Sequence, residues 1–218
     1  MLTLAVDTTA DSGSIALADE NGVRDEVPIH APQGFSHVLF GEIDALLKRQ
    51  TVSLREVELF AAAAGPGSFT GVRVGLSAIK GLAEVLGKRA IALSNLEVLS
   101  QFGTAAAHAT IIDARRGEVY AAVYSGAGNQ LVHEAVLPFE KFLNLLNARN
   151  IDPRELEWVS QGFGLPEEFH VISAPQAIAG QTAMLAIRKA RTGLAQDPAA
   201  IVANYVRRSD AELLWKGN

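Results

Sequence analysis

The sequence predicts an α/β protein made of two duplicated halves, the second reduced. Two observations carry this prediction. Residues 59–93 run apolar strand, glycine-rich turn, helix, strand, which is the order of an α/β layer. A hairpin pattern also occurs twice. LTLAVDTTADSGSIALA opens the chain, and ATIIDARRGEVYAAVYSG repeats its logic at 109–126, with Asp7 and Asp113 at the same place in the two copies. Pattern alone leaves open the alternative of two unrelated hairpins.

Taken in order, LTLAV (2–6) and SIALA (14–18) read as a hairpin, with a third strand at VRDEVPI after the Asn21-Gly22 turn. From Phe35 the period changes. Phe35, Val38, Leu39, Ile43, Leu46 and Leu47 share one helical face, opposite Glu42, Asp44, Lys48 and Arg49. LFAAAA (59–64) is a buried strand, Val72 to Leu86 a helix stopped by Gly87, and RAIAL (89–93) another strand, with a helix from Asn95. In the second half, Pro138 to Arg149 and Ala177 to Arg191 read as helices. LEWVSQG and FHVISA read as short strands around a Gly-Phe-Gly turn. The tail VANYVRRSDAELLWKGN reads as a final helix returning to the first half. These readings divide the chain into 1–103, carrying the docking helices described below, and 104–198, with the helix of about 199–218 joining the first unit.

Composition excludes several function classes. The formal charge of −5, from 19 basic and 24 acidic residues, gives no overall attraction to nucleic acid or membrane. The absence of cysteine removes disulfides, thiol nucleophiles and Cys-based metal sites, and is compatible with a reducing cytoplasm. The N-terminus lacks a basic region before its short apolar run, so it reads as a strand and not a signal peptide. No apolar run is long enough to span a bilayer.

GPGSFTGVR (65–73) raises the question of phosphate binding. It is not a Walker loop, because Val72-Arg73 stand where Lys-Ser/Thr is required. Ser68 and Thr70 can still cap the helix, whose free N–H groups attract an anion, and Arg73 adds charge. Asp7, Thr8, Gly65, Gly67, Ser68, Thr70 and Arg73 are therefore the candidate nucleotide or anion contacts. The competing reading is a tight turn whose glycines bring the helix close to the sheet, and the residues alone favour it.

The helix after this turn has a narrow polar stripe, Arg73, Ser77, Lys80 and Glu84, and two apolar ones. One contains Gly71, Gly75, Ala78, Leu82 and Val85. The other contains Val72, Leu76, Ile79, Ala83 and Leu86. The small-residue stripe suits close packing on the sheet. The second must also be covered, by another element of this chain or by a partner, and is assigned to a partner, together with the helix at 35–49. The candidate interface is Phe35, His37, Val38, Val72, Leu76, Ile79, Lys80 and Ala83, and Leu76→Asp is expected to break it while the monomer stays folded. No metal site is expected, since no two of His30, His37, His108, His133 and His170 stand at i,i+4. No serine lies in a nucleophile elbow.

LTLAVDTT, GPGSFTGVRVGLSAIKGLA and DARRGEVYAAV, in this order and spacing, closely resemble the bacterial TsaB (YeaZ) family from Leu2 to about Tyr124. The resemblance implies the actin-like, sugar-kinase and Hsp70 superfold. It implies a non-catalytic subunit of the machinery that makes threonylcarbamoyladenosine beside the tRNA anticodon. The implied partners are a catalytic paralogue, TsaD, and an ATPase, TsaE, with tRNA reached only through the complex and a homodimer when the chain is alone. No cofactor is required by this chain, although ADP or ATP can sit at the subunit interface. No residue is catalytic. The HxxxH metal pair of the catalytic paralogue falls here on Asn95 and Leu99. The rival is an enzyme of the same superfold, either a nucleotide-binding phosphotransferase or the peptidase suggested by the family's old glycoprotease label (peptidase M22-like). The location implied is the cytoplasm.

Overall fold

The computed structural model describes residues 1–207. Two five-stranded mixed sheets carry the fold. The first holds β1 (Thr3–Asp7), β2 (Ser12–Asp19), β3 (Gly22–His30), β4 (Leu59–Ala63) and β5 (Arg89–Leu93), in the order β3-β2-β1-β4-β5. The second holds β6 (Ala107–Asp113), β7 (Glu118–Ser125), β8 (Gln130–Pro138), β9 (Glu157–Gln161) and β10 (His170–Ser173), in the order β8-β7-β6-β9-β10. Each is an antiparallel meander of three strands with two parallel strands added beside the first. The repeat is therefore of whole sheets, and Asp7 and Asp113 end equivalent strands.

The helices follow the same plan with one omission. α1 (Leu39–Arg49) and α4 (Phe139–Ala148) each follow a third strand. α3 (Asn95–Ser100) and α5 (Ala179–Arg191) each follow a fifth. α2 (Phe69–Leu86) joins β4 to β5, but only the loop 162–169 joins β9 to β10. The reduction of the second half lies in that missing helix, since its five strands are complete. β8 is a full strand that the sequence reading does not include. α2 begins at Phe69, earlier than the sequence suggests, because the Ser68 hydroxyl accepts the Gly71 N–H at 3.3 Å. It stops at Gly87, whose φ of 62° suits glycine.

Alternation along the strands separates two packing layers. Leu4, Val6, Ile15, Leu17 and Phe60 face α1 and α2. Ala5, Ala16, Ala18 and Ala61 face α5, and these small side chains let that helix lie close. α5 thus covers the first sheet although it follows the last strand of the second. Its N-terminus is fixed there. Ser14 Oγ accepts the N–H groups of Ile178 and Ala179 at 3.2 and 3.0 Å, and Glu26 accepts that of Gly180 at 2.8 Å.

After a short 3₁₀ turn at Pro198–Ala200, residues 201–207 are neither helix nor strand, not the helix the sequence suggests: Ile201 and Ala203 pack on the first half, and Val206 and Arg207 reach the second. Pro198 starts the turn, and the Asn204 N–H then donates to Ala64 O at 2.8 Å, so this backbone bonds outward to the fold. Residues 208–218, where the rest of that expected helix falls, lie outside the described residues.

Candidate functional site

The glycine turn and the β1–β2 turn form one tightly packed cluster. A Cβ on Gly71 would stand 1.9 Å from Thr8 O, on Gly67 2.4 Å from Thr9 O, and on Gly75 2.6 Å from Thr8 Oγ1. The glycines therefore let α2 press its first turns onto residues 7–9. Hydrogen bonds fasten the contact. Thr8 Oγ1 donates to Gly71 O at 2.7 Å and Ser68 N to Thr9 O at 2.6 Å.

Inside this cluster lies a buried polar chain. Asp7 Oδ1 accepts the Thr9 N–H and hydroxyl, Thr9 Oγ1 accepts from Asn95 Nδ2, and Asn95 Oδ1 accepts the Gly65 N–H at 3.0 Å. Asp7, Thr8, Thr9 and Asn95 are all at most 3 % exposed. Burial pushes the Asp7 carboxyl up to about 6, the Thr9 hydrogen bonds opposing and the Glu26 charge adding to the rise.

The structure thus brings Asp7, Thr8, Gly65, Gly67 and Ser68 together, with Asp7 Oδ1 and Thr8 Oγ1 bonded within the cluster. Thr70 is exposed and apart from the buried chain. Arg73 turns outward, its guanidinium 3.6 Å from the Phe69 ring centroid and its Nε donating to Tyr205 Oη at 3.0 Å. Asp113, the equivalent of Asp7, is exposed and accepts the Arg115 N–H at 2.7 Å in an ordinary turn.

Five of the eight candidate interface residues are core residues. Phe35 is 7 % exposed and its ring lies where a Gly13 Cβ would be. Val72, Leu76, Ile79 and Ala83 are at most 5 % exposed and pack with Leu4, Val6 and Phe60. Val72, Leu76, Ile79 and Ala83 face the sheet alongside Gly71, Gly75 and Ala78, so neither these four apolar residues nor Phe35 is open to a partner. Val38 is half-buried, His37 is exposed, and Lys80 Nζ reaches Ala199 O at 3.3 Å. The exposed residues of the two helices include Phe40, Gly41 and Asp44 on α1 and Ser77, Gly81 and Val85 on α2.

The sequence reading missed Asn204 and Glu134. Asn204 Nδ2 donates to Gly65 O at 3.3 Å and to Glu134 Oε2 at 2.6 Å. Glu134 Oε1 accepts from Tyr124 Oη at 3.0 Å and from Ser94 Oγ. Burial and the Glu134 charge push the Tyr124 phenol up. No local motif marks these residues, because their partners lie up to 139 positions away. Among the described residues no group of three or more His, Asp or Glu could hold a metal ion. Leu99 is fully buried in the core beneath α5.

A family model described as TsaD, tRNA N6-adenosine threonylcarbamoyltransferase, matches residues 14–213. The chain is 33 % identical over 172 residues to the tRNA threonylcarbamoyladenosine biosynthesis protein TsaB of Escherichia coli, covering 75 % of this chain and 72 % of that protein. It is 27 % identical to the Bacillus subtilis protein of the same name, over 99 % of this chain and 98 % of the other. A solved structure from Pseudomonas aeruginosa, described as an uncharacterized protein with similarity to peptidase YEAZ, superposes with a TM-score of 0.76 at 28 % identity, covering 94 % of this chain and 99 % of that one. With a relative 33 % identical over three quarters of this chain and matches that span nearly its whole length, the chain belongs to the TsaB (YeaZ) family.

Proposed function

We propose that the chain is a non-catalytic subunit in tRNA threonylcarbamoyladenosine biosynthesis, one that binds and activates a TsaD-type threonylcarbamoyltransferase. The single observation that carries this reading is the use made of Asn95 and Leu99. These residues stand where the catalytic paralogue is expected to hold its metal-binding pair. Here the amide of Asn95 ties Thr9 to Gly65, and Leu99 is packed in the core. The buried Asp7 chain supports the reading, because Asp7 Oδ1 and the Thr9 hydroxyl are bonded within the fold.

Docking is assigned to the outward faces of α1 and α2, around Phe40, Ser77, Gly81 and Val85, in place of the stripe that the core takes up. In this reading the chain forms a homodimer when alone. A TsaE-type ATPase joins the complex, tRNA is held by the complex and not by this chain, and ADP or ATP sits at most between subunits. The chain reads as two units, 1–103 and 104–198, with 199–207 returning to the first, and as a cytoplasmic protein. Among the described residues no helix is long and apolar enough to cross a membrane.

The test is threonylcarbamoyl transfer to tRNA by the cognate paralogue and ATPase, supplied with threonylcarbamoyl-AMP, with and without this chain. Dependence on the chain, lost in Gly81→Arg and kept in Asp7→Asn, supports the reading. Activity that is the same without the chain overturns it. Tight magnesium-dependent ATP binding by the chain alone then turns attention to phosphotransfer.

A further inference from the structure

A cleft of 480 Å³ lies between the end of α3, the last turns of α5, the start of β6 and the β7–β8 turn, apart from the glycine-turn cluster. α5 lines it with Leu185, Arg188, Lys189 and Thr192, at the i, i+3, i+4 and i+7 spacing of one helix face. Glu97 is the one acidic residue among those described that line the cleft, and Lys189 Nζ pairs with its Oε1. Arg188 is exposed and has no carboxylate partner among the described residues. Its guanidinium donates instead to the neutral amide oxygen of Gln101, so the cleft carries an uncompensated positive charge. His108 lines the same cleft and is 2 % exposed. Its Nδ1 lies 3.4 Å from Ala105 O, which can only accept, so Nδ1 carries the hydrogen and Nε2 presents a lone pair. That Nε2 is buried and has no partner among the described residues. A Cβ on Gly103 would stand 2.6 Å from Cγ and Cδ2 of this ring and 2.8 Å from Nδ1. Gly103 thus packs the end of the ring nearest the backbone, and Nε2 is at the other end.

We propose that this cleft binds a phosphate group, free or on a small monoester, with Arg188 holding its oxygens and His108 Nε2 accepting a hydrogen bond from its P–OH. A buried acceptor without a donor destabilises the fold, so Nε2 calls for a partner that the protein itself does not supply. Arg188 offers the planar fork of donors that suits a phosphate or any similar oxyanion, and by itself it would take sulfate equally well. The lone pair on Nε2 makes the distinction. Inorganic phosphate keeps a P–OH donor at neutral pH, whereas sulfate has none, and a site built around such a hydrogen bond rejects the analogue that lacks it. The volume exceeds a bare phosphate and falls in the range of small-molecule sites, which leaves room for an ester group. The site shares no residue with the glycine turn or with the docking faces of α1 and α2, and rests on neither.

The experiment titrates the full chain with inorganic phosphate, sulfate and ribose 5-phosphate at neutral pH and constant ionic strength, by calorimetry and by nitrogen NMR of the His108 ring. Phosphate is expected to bind saturably, to shift the Nε2 signal, and to be preferred to sulfate by about tenfold or more. His108→Phe keeps a ring against Gly103 and loses the acceptor, so it should remove the preference and leave sulfate binding unchanged. Arg188→Ala should weaken both anions about tenfold. Arg191→Ala, on the same helix but outside the cleft, should weaken neither. If His108→Phe does not fold, the phosphate-to-sulfate ratio of the parent and the Arg188→Ala result still decide. Ribose 5-phosphate binding more tightly than inorganic phosphate assigns the group to an ester, and the reverse order assigns it to free phosphate; both support the site. The absence of saturable binding, which is the behaviour of a cleft filled by water alone, overturns the proposal. Equal affinities for phosphate and sulfate also overturn it, as does an affinity indifferent to Arg188→Ala.

Discussion

Asp7 Oδ1 receives both donors of Thr9, the backbone N–H at 2.9 Å and the hydroxyl at 2.7 Å. Burial nevertheless dominates and raises this carboxyl to about 6 from an ordinary 3.8. The folded chain therefore holds the proton more tightly than the unfolded one. The stability this contributes is complete below pH 3.8 and is lost as pH rises through 6. Asp7→Asn keeps an acceptor for Thr9 without the charge. In urea unfolding, the variant should gain on the parent between pH 4 and pH 7, by at most ~3 kcal/mol. A difference that stays constant over that range would show that Asp7 is ionised without penalty.

The glycines of α2 should divide sharply by position. A Cβ on Gly71 would meet Thr8 O at 1.9 Å, a backbone atom that cannot turn aside. Gly71→Ala should cost about 3 kcal/mol or more, because α2 must lift from the β1–β2 turn. Gly81 has nothing within 4 Å. Gly81→Ala should stabilise the isolated chain by about 0.5–1 kcal/mol through helix propensity. Thermal unfolding of both variants checks the contrast, and equal effects would contradict the close approach at Thr8.

Leu76 and Phe40 should respond oppositely to a charge. Leu76 is 5 % exposed within the core, whereas Phe40 is 56 % exposed. Leu76→Asp should unfold the chain or lower its stability by about 3–5 kcal/mol, since it buries an unpaired carboxylate in place of a packed leucine. Phe40→Asp should leave the circular dichroism unchanged and weaken self-association or paralogue binding. Light scattering and a binding titration on folded material distinguish the two. A folded, monomeric Leu76→Asp would restore the buried stripe as an interface.

The repeated hairpins were legible because strand alternation and an acidic strand end are local signals, and Asp7 and Asp113 do end equivalent strands. The orientation of α2 was not. Two adjacent apolar stripes give periodicity no preferred face, and only the contact of Gly71 and Gly75 with Thr8 sets the rotation that turns Leu76 inward. β8 escaped notice because QLVHEAVLP mixes His133 and Glu134 into its apolar residues, and Glu134 is held by Asn204 and Tyr124 from distant parts of the chain. Residues 201–207 are held instead by the Asn204 N–H bond to Ala64 O and by the Tyr205 ring against Phe69. Such long-range partners leave no trace in local pattern.

Asn204 should prove the main tie between the returning segment and both halves. Its backbone bonds Ala64, and its amide bonds Gly65 O and Glu134, which also accepts from Tyr124. Asn204→Ala removes two side-chain bonds and leaves one Glu134 oxygen without its donor, which should cost about 1–3 kcal/mol. Because Tyr124 donates to the same carboxyl group, Tyr124→Phe and Asn204→Ala should not add, and their coupling should exceed ~0.5 kcal/mol in a double-mutant cycle. Asn204→Asp should be worse than alanine, since it sets a second carboxyl against Glu134. If alanine and aspartate cost the same and the cycle shows no coupling, the segment is held by its backbone and by Tyr205, and Glu134 plays no part in joining the halves.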